Sequence, residues 1–330
     1  MKCTNKSLKK YSLLLMFLLL LTCSCGCGKK TYEIPYDANS SVSGFNVLAA
    51  DNSAVVLPFA NDLCIVTNDV KDSGFADTAQ CEAAVLFDIN NSEILYSQNA
   101  HEQLYPASLT KVMTALVAIK YGTPEQMLYA TDAIYIDESG AQLCGLKPGD
   151  SMTLNQALYI ALLHSANDAA LMIAENISGS VDEFVKLMNE EAHALGATNT
   201  NFVNPHGLSD PQQYTTAYDM YLIFNEALKY EKFVEIIQTT SYETTYYNNK
   251  SEAKQISVKN TNKFLNGNKT APDNVTVIGG KTGTTNAAGH CLVLLSKDKN
   301  GAPYVAIVLR AESSDSLYAQ MTDLLEEIGK

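Results

Sequence analysis

Tyr105-Pro-Ala-Ser-Leu-Thr-Lys-Val-Met-Thr-Ala-Leu-Val-Ala-Ile119 reads as a helix that opens at a proline and is apolar on nearly every face. Proline is tolerated at a helix start and disfavours helix just before itself, so the helix is expected from about Ser108. With no polar face, residues 109–119 mark a helix buried on all sides, around which the rest of a domain must pack. Ser108 then stands at the positive end of the helix, where a developing alkoxide is favoured. Lys111, three residues on, shares its face. The ordinary meaning of Ser-x-x-Lys is a capping serine and a snorkelling lysine. A lysine inside an apolar central helix is costly unless partnered, and such lysines become neutral enough to act as bases. Ser108 and Lys111 are therefore a candidate nucleophile and base.

Two further motifs follow in order. Residues 154–164 and 168–177 both read as apolar helices, and Ser165-Ala-Asn167 forms the short break between them. Alone, such a serine and asparagine would be helix caps. Val275-Thr-Val-Ile-Gly-Gly-Lys-Thr-Gly-Thr-Thr285 reads as a β-branched strand. Its glycines remove side chains where a backbone or a substrate must come close. Alone, Lys281 would pass for a solvated lysine on an edge strand. Ser-x-x-Lys recurs at Ser7, Ser251 and Ser296, and Ser-x-Asn at Ser97; Lys281-Thr-Gly283 occurs once. Order, separation and context carry the signal. Together the three resemble the motif set of active-site serine penicillin-recognising enzymes.

From about Ala83 onward the chain resembles the serine-type D-Ala-D-Ala carboxypeptidases, the low-molecular-weight penicillin-binding proteins. Pro106-Ala-Ser-Leu-Thr-Lys-Val-Met-Thr114, Gly145-Leu-Lys-Pro-Gly-Asp150, Asn204-Pro-His-Gly-Leu208, Thr216-Ala-Tyr-Asp219 and Ala288-Gly289 carry the resemblance beyond the three motifs. It implies that Ser108 attacks the carbonyl between two D-alanines with Lys111 as base. It also implies that Ser165 passes the proton to the leaving nitrogen and that Asn167 holds the substrate amide and Lys111. Lys281 would keep the local potential positive, Thr282, Gly283 and Thr284 would bind substrate, and the N–H groups of Ser108 and Thr284 would form an oxyanion hole. Expected partners are peptidoglycan stem peptides, with β-lactams as covalent inhibitors; no cofactor or metal is required. Where many relatives carry an arginine shortly before the last helix, Leu317 stands here.

The implied fold is α+β and β-lactamase/transpeptidase-like. A hairpin around Asn90-Asn91, strands at 275–284, 291–296 and 304–309, and a closing helix at 315–328 frame a helical stretch from Ser108 to about Tyr230. That layout predicts an antiparallel sheet of about five strands with flanking helices and a central helical lobe, the site lying at their seam.

Three hundred and thirty residues with 46% apolar content suffice for one large or two modest cores. Residues 1–28 read as a signal peptide or lipoprotein anchor, residues 29–79 as a tether and leading segment, and residues 80–330 as the catalytic domain. Lys2, Lys6, Lys9 and Lys10 precede an apolar run at 13–21, too short for a comfortable membrane span of about 20 residues. Cys23 directly after that run is the candidate lipidation site; a cleaved signal or an uncleaved anchor are the alternatives. Family members often continue into a C-terminal domain ending in a membrane helix, whereas this sequence runs to Lys330 just past its closing helix. Attachment to the outer face of the cytoplasmic membrane is therefore expected through the N-terminus. Removing residues 1–22, with four lysines and no acid, would take the net charge from −13 to −17. That acidity and a single arginine, Arg310, argue against nucleic acid and phosphate clamps.

Cys64, Cys81, Cys144 and Cys291 lack zinc-site spacing, and no His-Glu-x-x-His helix exists for a zinc carboxypeptidase. Their pairing, or none, is open. His206, in a Pro-His-Gly turn, is expected to be structural. A class A β-lactamase would need a deacylating glutamate after the second motif, and no glutamate lies between Glu191 and Glu226. D,D-endopeptidase activity on cross-linked muropeptides would use the same residues and differ only in the shape of the groove.

Overall fold

The computed structural model describes residues 63–70 and 81–329; residues 1–28, Cys23 and most of the leading segment lie outside them. Five antiparallel strands form the main sheet in the order β2-β1-β9-β8-β7. They are β1 Ala83–Asp88, β2 Glu93–Gln98, β7 Val275–Thr285, β8 Gly289–Asp298 and β9 Pro303–Ala311. Strict alternation sorts their side chains onto two buried faces. Ala84, Leu86, Leu292, Leu294, Ala306 and Val308 meet the closing helix α7, Ser314–Glu326, through Leu317, Met321, Leu324 and Leu325. Val85, Phe87, Val293, Val305, Ile307 and Leu309 face the helical lobe. Strands from both ends of the domain thus meet in mid-sheet, with Ala83 opposite Leu309.

The lobe is built around α1, Thr110–Tyr121, whose residues from Thr110 through Ala118 are all buried. It packs against α2 Leu154–Leu163, α3 Asn167–Ser178, α4 Val181–Ala194 and α5 Ala217–Ala227, and it touches the short α6, Glu231–Ile237. Each large apolar side chain withdrawn this way stabilises the fold by roughly 1.5–3 kcal/mol. Side-chain caps set the helix starts. Thr153 and Gln156 form a reciprocal capping box on α2, Ser313 and Ser316 do so on α7, and Ser180 and Thr216 cap α4 and α5.

Two features depart from the sequence reading. The α-helix begins at Thr110, because residues 107–109 form a 3-10 turn led by Pro106. A second antiparallel sheet, in the order β3-β4-β5-β6, also stands beside the lobe. Its strands are β3 Met127–Tyr129, β4 Ser151–Thr153, β5 Ser241–Tyr247 and β6 Ala253–Lys259. It is held to α2 by Gln156, which donates to Thr244 and Thr245, and by Tyr159 stacked on Tyr242 with ring centroids 4.1 Å apart. Of the leading segment, Cys64 and Val66 join the core and Val70 bridges to Ser97.

Candidate active site

Ser108 lies in the turn before α1, directly after a strained residue. Ala107 takes φ 46°, a left-handed conformation costly for alanine. Its carbonyl accepts from Thr110 Oγ1 at 2.8 Å and is roofed by Gly207, where an added Cβ would fall 1.9 Å from that oxygen. Ser165, in the break between α2 and α3, is also left-handed at φ 63°. Gly283 of β7 meets the turn from the sheet side: a Cβ there would lie 3.0 Å from both Ala107 Cβ and Ser108 N. The missing side chain lets the strand edge run against the start of α1, with Thr282 and Thr284 to either side.

Lys111 is 1% exposed, and its Nζ has three neighbours. Ser108 Oγ lies at 3.0 Å, Asn167 Oδ1 at 2.6 Å and the His206 carbonyl at 2.6 Å. Burial first, and the Lys281 cation second, hold its pKa well below the usual 10.5, while Asp168 opposes them. A neutral amine has two N–H groups and one lone pair. In that neutral form the asparagine oxygen and the carbonyl would take the two hydrogens and leave the lone pair for Ser108 Oγ. The arrangement can accept the serine proton and return it.

Lys281 is also 1% exposed. Its Nζ donates to Ser165 Oγ at 3.0 Å and to the Thr282 carbonyl at 2.9 Å, and burial holds its pKa down to about 7. Ser108, Lys111, Asn167, Ser165 and Lys281 therefore belong to one connected site, with Thr282, Gly283 and Thr284 forming its sheet wall. Ser108, Ser165, Asn167 and the three β7 residues line a cleft of about 640 Å³. The cleft's far wall is the 138–142 segment, fixed at its base by Asp168. That carboxylate accepts the N–H groups of Cys144, Gly145 and Leu146, while Asn167 N donates to the Gln142 carbonyl.

His206 is structural in geometry: burial lowers its pKa to about 3, and Nδ1 accepts from Leu208 N. Cys64, Cys144 and Cys291 carry free thiols, and the Cys81 thiol donates to Gln320 Oε1 at 3.0 Å. Burial raises the pKa of each of these, that of Cys81 and Cys291 to about 12. Leu317 lies within α7 and lines the cleft, together with Thr261, Lys263, His290 and Tyr318. Of these the sequence reading had singled out only Leu317. Thr261 Oγ1 is 2.6 Å from Thr282 Oγ1, and His290 Nδ1 is 3.2 Å from Thr284 Oγ1. The position of Thr261-Asn-Lys263 upstream of β7 gave no spacing signal for this.

A family model described as Peptidase_S11, D-alanyl-D-alanine carboxypeptidase, matches residues 70–313. The chain belongs to that family. It is 36% identical to D-alanyl-D-alanine carboxypeptidase DacF of Bacillus subtilis over 75% of this chain and 61% of that protein. A protein named D-alanyl-D-alanine endopeptidase, from Pseudomonas aeruginosa, is 33% identical over 73% of this chain and 75% of its own length. The crystal structure of a Streptomyces DD-transpeptidase superposes with TM-score 0.69 at 25% identity, covering 75% of this chain and 96% of that one. The chain spans about three fifths of the length of DacF. The fold of this family is the penicillin-binding, β-lactamase-like one that the motifs implied.

Proposed function

We propose that this protein is a serine D,D-carboxypeptidase that removes the terminal D-alanine from peptidoglycan pentapeptides through an acyl-enzyme. The observation that carries the reading is the Lys111 amine, buried, deprived of charge stabilisation and within 3.0 Å of Ser108 Oγ. Ser108 gives its proton to Lys111 Nζ as Oγ bonds to the scissile carbonyl carbon. The N–H groups of Ser108 and Thr284 receive the oxyanion, each such donor being worth about a hundredfold to a thousandfold in rate. Collapse breaks the C–N bond, and the proton held on Lys111 passes through Ser165 to the departing D-alanine amine. Lys281 holds Ser165 in that path, and Asn167 orients Lys111 and the substrate amide. Water, activated by the same lysine, then hydrolyses the ester and releases the shortened peptide.

The N-terminal sequence supports the reading: four lysines before an apolar run and Cys23 after it fit a precursor carried to the outer face of the cytoplasmic membrane and lipidated there. D,D-endopeptidase action is the second reading, favoured by the endopeptidase-named relative. The test has two parts. Penicillin should add one β-lactam to the intact mass, persistently, and Ser108→Ala should abolish the addition; labelling that survives the substitution sinks the nucleophile. Free D-alanine should then appear from pentapeptide faster than cross-linked muropeptide dimers are cleaved. The reverse order replaces carboxypeptidase with endopeptidase and leaves the acyl-enzyme in place.

A further inference from the structure

We propose that Lys263 is the specificity-determining cation of this cleft, meeting the terminal carboxylate of the substrate beyond Thr282 and Thr284. The proposal rests on the carboxypeptidase reading and names the group that would make a free C-terminus preferred.

Elimination among the described residues points to it. Arg310 does not line the cleft and is engaged with Glu82 at 2.8 Å. Where a longer cation would be useful at the start of α7, Leu317 presents a buried apolar side chain. Lys111 and Lys281 are almost fully buried, and their amino groups are taken up by Asn167, His206, Ser165 and the Thr282 carbonyl. Lys263 differs from both. Its side chain lines the cavity and is 32% exposed. Its backbone N–H donates to Tyr318 Oη at 2.8 Å, and its Nζ lies 5.3 Å from the Tyr318 ring centroid, within cation–π range. These two contacts fix both ends of the residue against α7.

Its acidic neighbour does not neutralise it. Asp315 Oδ1 is 4.0 Å from Lys263 Nζ, is shared with Lys269 at 3.8 Å and belongs to a side chain 86% exposed. Such a surface pair is weak and easily exchanged for a better anion. The cation is also felt along the wall: Lys263, after burial, helps lower the pKa of His290, whose Nδ1 sits 3.2 Å from Thr284 Oγ1. Thr282 and Thr284, two apart on β7, offer hydroxyls to one carboxylate, and Lys263 supplies the charge those hydroxyls lack.

The experiment uses the full chain and a pentapeptide ending in D-Ala-D-Ala, as the free acid and as the C-terminal amide. Lys263→Gln removes a charge-assisted hydrogen bond to the acid and should raise its KM by about tenfold to a hundredfold. The amide reaction should stay within about twofold, so the acid-over-amide preference collapses. Lys263→Arg should restore most of that preference, and melting temperatures should match wild type. A preference unchanged in Lys263→Gln overturns the assignment while D-alanine release keeps the carboxypeptidase reading. Equal loss on acid and amide, with lowered melting, overturns it in favour of a structural role. If wild type releases no D-alanine, acylation by penicillin and by its methyl ester decides. Selective slowing of the acid in Lys263→Gln supports the assignment, equal rates overturn it, and no acylation at all overturns both readings.

Discussion

Replacing Lys281 with methionine should stabilise the protein while disabling it. The side chain is almost fully buried, and burial lowers its pKa from 10.5 to about 7. The unfolded chain therefore binds a proton more tightly than the folded one. The penalty is absent above the unfolded value, grows as pH falls from 10.5 to about 7, and is complete below that. At about 1.4 kcal/mol for each pH unit, it amounts to about 5 kcal/mol at pH 6 and about 2 kcal/mol at pH 9. Methionine fills a similar volume without charge but forfeits two hydrogen bonds, to Ser165 Oγ and the Thr282 carbonyl, at about 1 kcal/mol each. The net gain is about 3 kcal/mol at pH 6 and close to zero at pH 9. At roughly 2–4 °C per kcal/mol, Lys281→Met should melt about 6–12 °C higher at pH 6. Calorimetry of both proteins from pH 6 to pH 9 measures this, alongside loss of penicillin acylation. A difference that does not shrink with rising pH, or a variant that melts lower at pH 6, would refute the reasoning.

Gly207→Ala should cost several kcal/mol, or fail to fold, because its Cβ would fall 1.9 Å from the Ala107 carbonyl and φ is +92°; Gly145→Ala, also at positive φ but with open space, should cost about 1 kcal/mol. Stopped-flow acylation should follow a bell-shaped pH profile. The acid limb reports protonation of Lys111, and the rate declines above about 7 as Lys281 loses its charge. A rate still rising at pH 9 would contradict the Lys281 assignment. Cys64, Cys81, Cys144 and Cys291 should react with a thiol reagent far faster in denaturant than in native buffer, since burial raises each thiol pKa. Cell fractionation of Cys23→Ala should find the protein released from the membrane; tight attachment would point to an uncleaved helix or another cysteine.

The main sheet and the three motifs were legible because each lies in a strong local pattern. Residues 109–119 lack a polar face, and β1, β8 and β9 are apolar runs bounded by turn residues. The second sheet was not legible. β3 and β4 are three residues long, and β5 and β6 are so rich in tyrosine, threonine and lysine that few side chains are buried. Nothing local to them marks a partner. Asp168 illustrates a similar limit: its hold on Cys144, Gly145 and Leu146 joins segments that meet only after α2 has turned back. Lys263 and His290 stayed hidden for the same reason, since their meaning depends on what α7 and β7 bring beside them.

Pairing β1 with β9 imposes an order in time as well as in space. While the chain is being made or threaded, residues up to about 270 already hold Ser108, Lys111, Ser165 and Asn167, yet the sheet exists only as the β1–β2 hairpin with an open edge. Such distant pairing folds slowly and leaves that edge exposed until the last strands arrive. Lys281 arrives with those strands. On the proposed mechanism a partly emerged chain holds Ser108 and Lys111 without the second lysine, so reactivity toward β-lactams should switch on only at completion. Pulse-labelled nascent chains of increasing length would show that step as an abrupt onset of penicillin capture.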